Sequence, residues 1–314
     1  MRRLILIIVA IIIGTTTLLA QEVTRETLHY ATNNNTELYL DRYMLSTIPE
    51  RPRPCMIFAF GGGFVGGKRD QDYYMPYFTA LAEAGYVVVS IDYRLGLKQL
   101  PAKINIIGMI KAMNNAVTIA VEDMYSATNY VIANAEEWMV DTSKIMISGS
   151  SAGAITALQA EWLRCCGSEV ARALPEGFRY AAVISCAGAI YSTKGGPKFK
   201  DTPAPMLLFH GTSDSNVPYN RASVCGIGFY GSKYIAKQLD KLDAPYYFYS
   251  AEHVDHTLAG TPLFQQCDLI LQFINDYVIE GRKLRARMDI MDIDGERKPT
   301  HFRVKDYLNT NYAK

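Results

Sequence analysis

The chain has 314 residues, 49% of them apolar, which is enough to bury a substantial core and is most simply one large domain. Its 32 Lys and Arg nearly balance its 31 Asp and Glu, and no basic block with interleaved aromatics is present, so a nucleic-acid surface is excluded. Six cysteines and five histidines show no metal-ligand spacing, so no metal and no cofactor is expected.

In chain order, Arg2 and Arg3 precede the apolar run Leu4 to Ile13, and the stretch closes on Leu18-Leu19-Ala20-Gln21. That is the charge, apolar core and small-residue end of an export leader, with residues 1–20 as the segment removed. Leu18 is large for its place three positions before the cut, which keeps an uncleaved signal-anchor as the alternative. The expected destination is periplasmic or secreted, with no stable membrane association once the leader is gone. An oxidising compartment permits one or two disulfides, although Cys165 and Cys166 are adjacent, Cys55 and Cys186 sit in apolar runs, and no pairing is assigned.

Residues 21–280 form the main body. Thr27 to Tyr30 and Glu37 to Tyr43 read as strands joined by the Asn33-Asn34-Asn35 turn. Pro54 to Phe60 is an almost continuous apolar strand that ends at Gly61-Gly62-Gly63. Tyr73 to Ala84 reads as a helix and Tyr86 to Ile91 as a buried strand; a second helix is expected from near Val117 to about Glu137. The strand Lys144 to Ser148 and the helix Ala152 to Arg164 follow, then three apolar runs at Tyr180 to Ser185, Pro205 to His210 and Tyr246 to Tyr249. Helical stretches lie near Gly231 to Leu242 and Leu263 to Val278. Strands apolar on both faces that alternate with helices predict a three-layer α/β fold: a mostly parallel central sheet, helices on both faces, little or no lid. Residues 281–314 leave this rhythm: Arg285 to Ile293 alternates, Asp294-Gly295 is a turn, and His301 to Leu308 could return as the second strand of a small hairpin. A disordered tail is the other reading of that extension.

Chemistry concentrates where strands end. Gly149-Ser150-Ser151-Ala152-Gly153 places a serine between two glycines at a strand-to-helix junction, the pattern of a nucleophile elbow. A serine hydroxyl is a weak nucleophile until a base sits beside it and a third group orients that base, so Ser151 needs partners. The loop His210 to Pro218 supplies Asp214 as the acid. The base should come later, from Ala251-Glu252-His253-Val254-Asp255-His256-Thr257; His256 lies nearer the following helix, with His253 as the alternative. A developing oxyanion needs N–H donors, each contributing roughly 3 kcal/mol in comparable sites, and the glycine triplet and Ala152 can offer theirs unobstructed. Phe64, Tyr73, Tyr74, Tyr191 and His210 are candidate substrate-lining residues.

Taken together, these motifs resemble the α/β-hydrolases of the carboxylesterase and hormone-sensitive-lipase-like type, above all the exported deacetylase/feruloyl-esterase-like (BD-FAE-like) group. The resemblance covers Pro54 to Tyr277. Where that group has a His-Gly-Gly-Gly oxyanion loop this chain has Phe60-Gly61-Gly62-Gly63-Phe64, which implies that Gly62 and Gly63 donate alongside Ala152. The group's Asp-Tyr-Arg-Leu stands as Asp92-Tyr93-Arg94-Leu95, its Glu-Asp pair as Glu122-Asp123, and the aspartate before the elbow strand as Asp141. Its Gly-His start is replaced here by Val254-Asp255-His256, a departure from the group's pattern, although the resemblance still implies His256 as the base. A phenylalanine at position 60 can only pack, so a differently supported loop is expected. The resemblance implies hydrolysis of a small-molecule or oligosaccharide acyl ester, acetyl or feruloyl in type, through an acyl-enzyme. An oligopeptidase-like serine peptidase and a non-catalytic binding module on the same scaffold are the alternatives.

Overall fold

The structure is a computed structural model that describes residues 22–300 apart from positions 48 and 102. The expected leader, residues 1–20, and the expected returning strand, His301 to Leu308, lie outside the described residues. Antiparallel strands β1 (Val23–Asn33) and β2 (Thr36–Leu45) open the fold, followed by β3 (Arg53–Ala59), α1 (Met75–Glu83) and β4 (Val87–Ile91). Helix α2 (Ile106–Ala133), strand β5 (Val140–Ser150) and helix α3 (Ala152–Cys165) form the centre. The remainder runs β6 (Val183–Cys186), β7 (Ala189–Ser192), β8 (Met206–Gly211), β9 (Arg221–Val224), β10 (Ile227–Gly231) and α4 (Ser232–Lys241). It closes with β11 (Tyr246–Ala251), α5 (Pro262–Gln265), α6 (Cys267–Ile274) and β12 (Arg285–Ile290).

Nine strands form one sheet in the order β1-β2-β4-β3-β5-β6-β8-β11-β12. From β4 to β12 every neighbouring pair is parallel. All five residues of β4, Val-Val-Val-Ser-Ile, are buried, and so is every residue of β6 and β8. β-branched and aromatic side chains suit strands covered on both faces, and the helices supply that cover. Helix α2 packs on α3, and α1 packs on α5 and α6, giving the three-layer arrangement. Parallel pairing has one consequence for function: β3, β5, β8 and β11 all deliver their following loops to the same edge of the sheet.

Three parts of the fold depart from the sequence reading. Helix α2 begins at Ile106 rather than near Val117, with the Asn105 side chain accepting from Gly108 N at 2.7 Å as its N-cap. Ile106 and Ile107 are more than 60% exposed, so the first turns carry no core-facing stripe for periodicity to reveal. A small three-stranded antiparallel sheet, β7-β10-β9, stands beside the main one. Its strands of four and five residues are too short for an alternation to register. Finally, residues 285–290, expected as the first strand of a small C-terminal hairpin, add a strand to the main sheet. Strand β12 pairs in parallel with β11, Tyr246 opposite Arg285 through Ala251 opposite Ile290, and so covers what would be an open row of β11 backbone groups. All six cysteines are free thiols, so none of the allowed disulfides forms.

The junction between β5 and α3 is set by what glycine lacks. A Cβ on Gly149 would stand 2.3 Å from Gly153 C, and one on Gly153 only 2.0 Å from Ala59 O at the end of β3. No rotamer relieves a clash with backbone, so α3 can lie this close only with glycine at both positions. Gly153→Ala is therefore expected to lower stability by about 1–3 kcal/mol, as overpacking does. Gly66→Ala, whose Cβ would have nothing within 4 Å, is expected to stay within roughly 0.5 kcal/mol of the parent. Urea unfolding of the two variants checks the contrast.

Candidate active site

Ser151 occupies the sharp turn after β5 at φ 50° and ψ −113°, a conformation that L-residues rarely adopt. Its N–H donates to Cys186 O at 2.9 Å, and its carbonyl accepts from Ile155 N at 2.8 Å. Both ends of the residue are thus fixed, and the side chain is projected off the sheet edge. His256 Nε2 lies 2.8 Å from Ser151 Oγ, and His256 Nδ1 lies 2.7 Å from Asp214 Oδ2. A carboxylate can only accept, so Nδ1 carries the imidazole proton and Nε2 is left to accept from the serine hydroxyl.

Asp214 is wholly buried in the loop after β8. Its Oδ1 accepts from the backbone N–H of Asn216 and of Val217, each at 2.8 Å. His210 Nε2 stands 3.4 Å from Oδ2 and 3.1 Å from Val217 O, so its N–H points at two acceptors, while its Nδ1 accepts from Ser232 Oγ at 2.8 Å. Burial alone would push the Asp214 carboxyl up. Hydrogen bonds donated by His210 and His256 outweigh it and hold the group well below the usual carboxylate range.

The glycine loop after β3 closes the other side. A Cβ on Gly61 would be 2.9 Å from Ser150 Oγ and 3.4 Å from Ser151 Cβ, so this loop lies directly against the elbow. Gly62 has φ 137°, and a Cβ there would meet Gly66 O at 2.1 Å. Among the described residues no protein acceptor takes the N–H of Gly62 or Gly63, and the Ala152 N–H is free of intrahelical bonding by its place at the start of α3. As expected, Phe60 packs: its ring stacks on Tyr93 with centroids 4.5 Å apart. Polar support comes instead from two tyrosines that the sequence reading did not assign to it. Tyr93 Oη donates to Phe60 O at 2.8 Å, and Tyr74 Oη accepts from Gly61 N at 2.8 Å.

The structure brings Ser151, Asp214, His256, Gly62, Gly63 and Ala152 to one edge, and it separates out the other candidates. His253, the alternative base, sits at φ 61° with its Nδ1 donating to Lys298 O at 2.8 Å; its ring serves the C-terminal segment. His210 does not line the site, because it is fully buried behind Asp214. Phe64 and Tyr74 are core residues, and Tyr191 is buried against Phe229 with centroids 5.0 Å apart. Packing consumes these three rings. Tyr73 alone of the proposed lining residues keeps an exposed face, at 45%, its ring tilted against that of Tyr74 and close to Gly260 just past His256.

A strained serine at an elbow, hydrogen-bonded to a histidine that a buried carboxylate orients, on the carboxyl edge of a largely parallel sheet, is the arrangement by which serine hydrolases of the α/β-hydrolase type activate their nucleophile. The BD-FAE family model matches residues 40–190, and over that stretch the chain is similar to this family. It is 34% identical over 119 residues to fumonisin B1 esterase of Sphingopyxis macrogoltabida, covering 37% of this chain and 21% of that protein. It is 31% identical over 133 residues to tuliposide A-converting enzyme 2 of Tulipa gesneriana, covering 39% and 30%. The chain thus spans under a third of the length of these curated relatives. A structure of Thermogutta terrifontis esterase 2 phosphoramylated by tabun superposes with a TM-score of 0.60 at 23% identity, covering 83% of this chain and 96% of that one.

Because the folded Asp214 carboxyl lies below its unfolded value, its contribution to stability is full above the unfolded pKa near 4 and is lost as pH falls through the folded value. The stability gap between wild type and Asp214→Asn is therefore expected to be constant at neutral pH and to narrow only below about pH 4. Denaturant unfolding of both proteins from pH 7 to pH 3 measures it; a gap that already narrows between pH 7 and pH 5 contradicts the assignment.

Proposed function

We propose that the protein is a serine esterase that hydrolyses small-molecule acyl esters through an acyl-enzyme. One observation carries the reading: the unbroken hydrogen-bonded run from Ser151 Oγ through His256 to Asp214. Ser151 Oγ attacks the acyl carbonyl carbon while His256 Nε2 takes its proton. The carbonyl oxygen becomes an oxyanion within reach of the Gly62, Gly63 and Ala152 N–H groups. Asp214 holds the imidazole in the tautomer that can accept, then stabilises the imidazolium. Collapse breaks the ester C–O bond, and the leaving alcohol takes the proton from Nε2. Water then gives its proton to His256, attacks the acyl carbon, and releases the acid with Ser151 restored.

Within that class the substrate is a short acyl group, acetyl or feruloyl in type, on a sugar or phenolic alcohol. The family relation supports this, as does the absence, among the described residues, of a large lid between the later strands. A long lipid chain needs more cover than the open edge offers. The relatives' names, fumonisin B1 esterase and tuliposide A-converting enzyme, assign those proteins ester hydrolysis of fumonisin B1 and conversion of tuliposide A, which supports a non-polymeric ester here. The leader pattern at residues 1–20 supports export to the periplasm or medium.

Ser151→Ala is expected to abolish labelling by a serine-directed phosphonate and to lower kcat on a short-chain activated ester by at least about 10⁴-fold, while Ser150→Ala keeps the label. A wild-type protein that neither labels nor turns over any short acyl ester would sink the reading. A panel of acetylated and feruloylated oligosaccharides then separates the alcohols. Export predicts a mature N-terminus at Gln21, read by N-terminal sequencing of protein from the native compartment.

A further inference from the structure

The C-terminal segment after β12 does more than finish the sheet. Glu252 N donates to Ile290 O at 2.7 Å, tying the end of β12 to the start of the histidine loop. The chain then turns at Asp292 to Gly295 and comes back over the loops that carry the triad. At Lys298 it touches both of them. The Lys298 carbonyl accepts from Ser213 Oγ at 3.1 Å and from His253 Nδ1 at 2.8 Å, so one backbone oxygen bridges the residue before Asp214 and the histidine loop. The Lys298 ammonium pairs with Asp255 Oδ2, on the residue before His256.

Asp255 is the second half of the device. Its Oδ1 accepts from Thr257 N at 3.0 Å, capping the 3-10 turn His256–Ala259 that begins with the base itself. One carboxylate therefore faces the strap with one oxygen and fixes the backbone around His256 with the other. Beneath the strap the two loops are already stitched: His253 N donates to Thr212 Oγ1 at 2.8 Å, and Ser213 N to Val254 O at 2.9 Å. The strap adds an outer set of bonds to this inner one.

We propose that Lys298 is a positioning residue: its ammonium, by holding Asp255, fixes the base loop at its distance from the acid loop, over backbone bonds that its carbonyl makes to Ser213 and His253. The proposal rests on the esterase reading for its kinetic test. Lys298 and Asp255 are both about one-third exposed, and an exposed pair adds little to stability. Small displacements of a base are costly to rate, so a positioning role and a merely structural one make different predictions.

The test uses the full chain and compares Lys298→Met, Lys298→Arg, Asp255→Asn and the Lys298→Met/Asp255→Asn double variant. Asn at 255 keeps the oxygen that caps Thr257. Rates are normalised to active sites titrated with the phosphonate probe. Lys298→Met is expected to lower kcat about tenfold with KM within twofold, Lys298→Arg to restore it, and the double variant to be no worse than the worse single. An unchanged kcat per titrated site, or additive losses in the double variant, overturns the proposal. A second readout stands apart from ester turnover, namely the downfield proton resonance of the His256 Nδ1–H bonded to Asp214. It should be sharp in the wild type and broadened or shifted in Lys298→Met, and an identical resonance in both overturns the positioning role. If the wild type shows the resonance but no turnover, the esterase reading fails and the resonance alone decides Lys298.

Discussion

Everything at the site depends on how closely backbone can approach backbone where β5 becomes α3. Gly153 lies so near Ala59 O that a single methyl would stand 2.0 Å away, and Gly149 is packed as tightly against Gly153. This contact holds Ser151 at φ 50°, which turns its hydroxyl off the edge of the sheet instead of along it. The same contact brings the end of β3, and with it the glycine loop, against the nucleophile. One steric constraint therefore sets both the attacking oxygen and the N–H groups facing it, before any hydrogen bond is counted.

Electrostatics then fixes the direction of proton flow. Asp214 is buried, and two backbone N–H groups fill one of its oxygens while His256 and His210 face the other. A carboxylate so surrounded stays ionised and cannot swing, so His256 has one orientation and one tautomer available. His210 contributes from behind, with its own ring held between Ser232 and Val217. The relay is rigid because its buried end has no unused partner to turn toward.

The chemistry was legible in the sequence wherever it follows from local sterics. Glycines at 149 and 153 are required by the elbow, so at a strand-to-helix junction they point to Ser151, and the glycine loop, Asp214 and the late histidines complete the assignment. The alternating rhythm of apolar runs and helices revealed the parallel sheet, and with it the shared edge. The choice between His253 and His256 was less visible because it depends on a backbone turn: φ 61° at His253 carries its ring outward to Lys298, and nothing local in the sequence dictates that. Tyr74 and Tyr93 were hidden for another reason. They support the glycine loop from positions 13 and 33 residues away from their partners, and an aromatic in an apolar run looks the same whether or not its hydroxyl is used. Strand β12 was legible as extended but not as part of the sheet, since pairing is a property of its neighbour's edge.

The two sides of the site carry different burdens, and this explains why reaction and substrate were unequally readable. On the protein side each catalytic atom has its partners fixed by buried backbone or by a buried charge, so residue types there are tightly prescribed. On the solvent side stand Val65 in the glycine loop, Tyr73, and Phe264 in α5, which packs near the 72–74 turn; each is 45–51% exposed. No hydrogen bond of the Ser151–His256–Asp214 run passes through any of them. Substitution on this face can therefore reshape what binds while leaving the relay intact, and a scaffold so divided can keep one chemistry while its esters change.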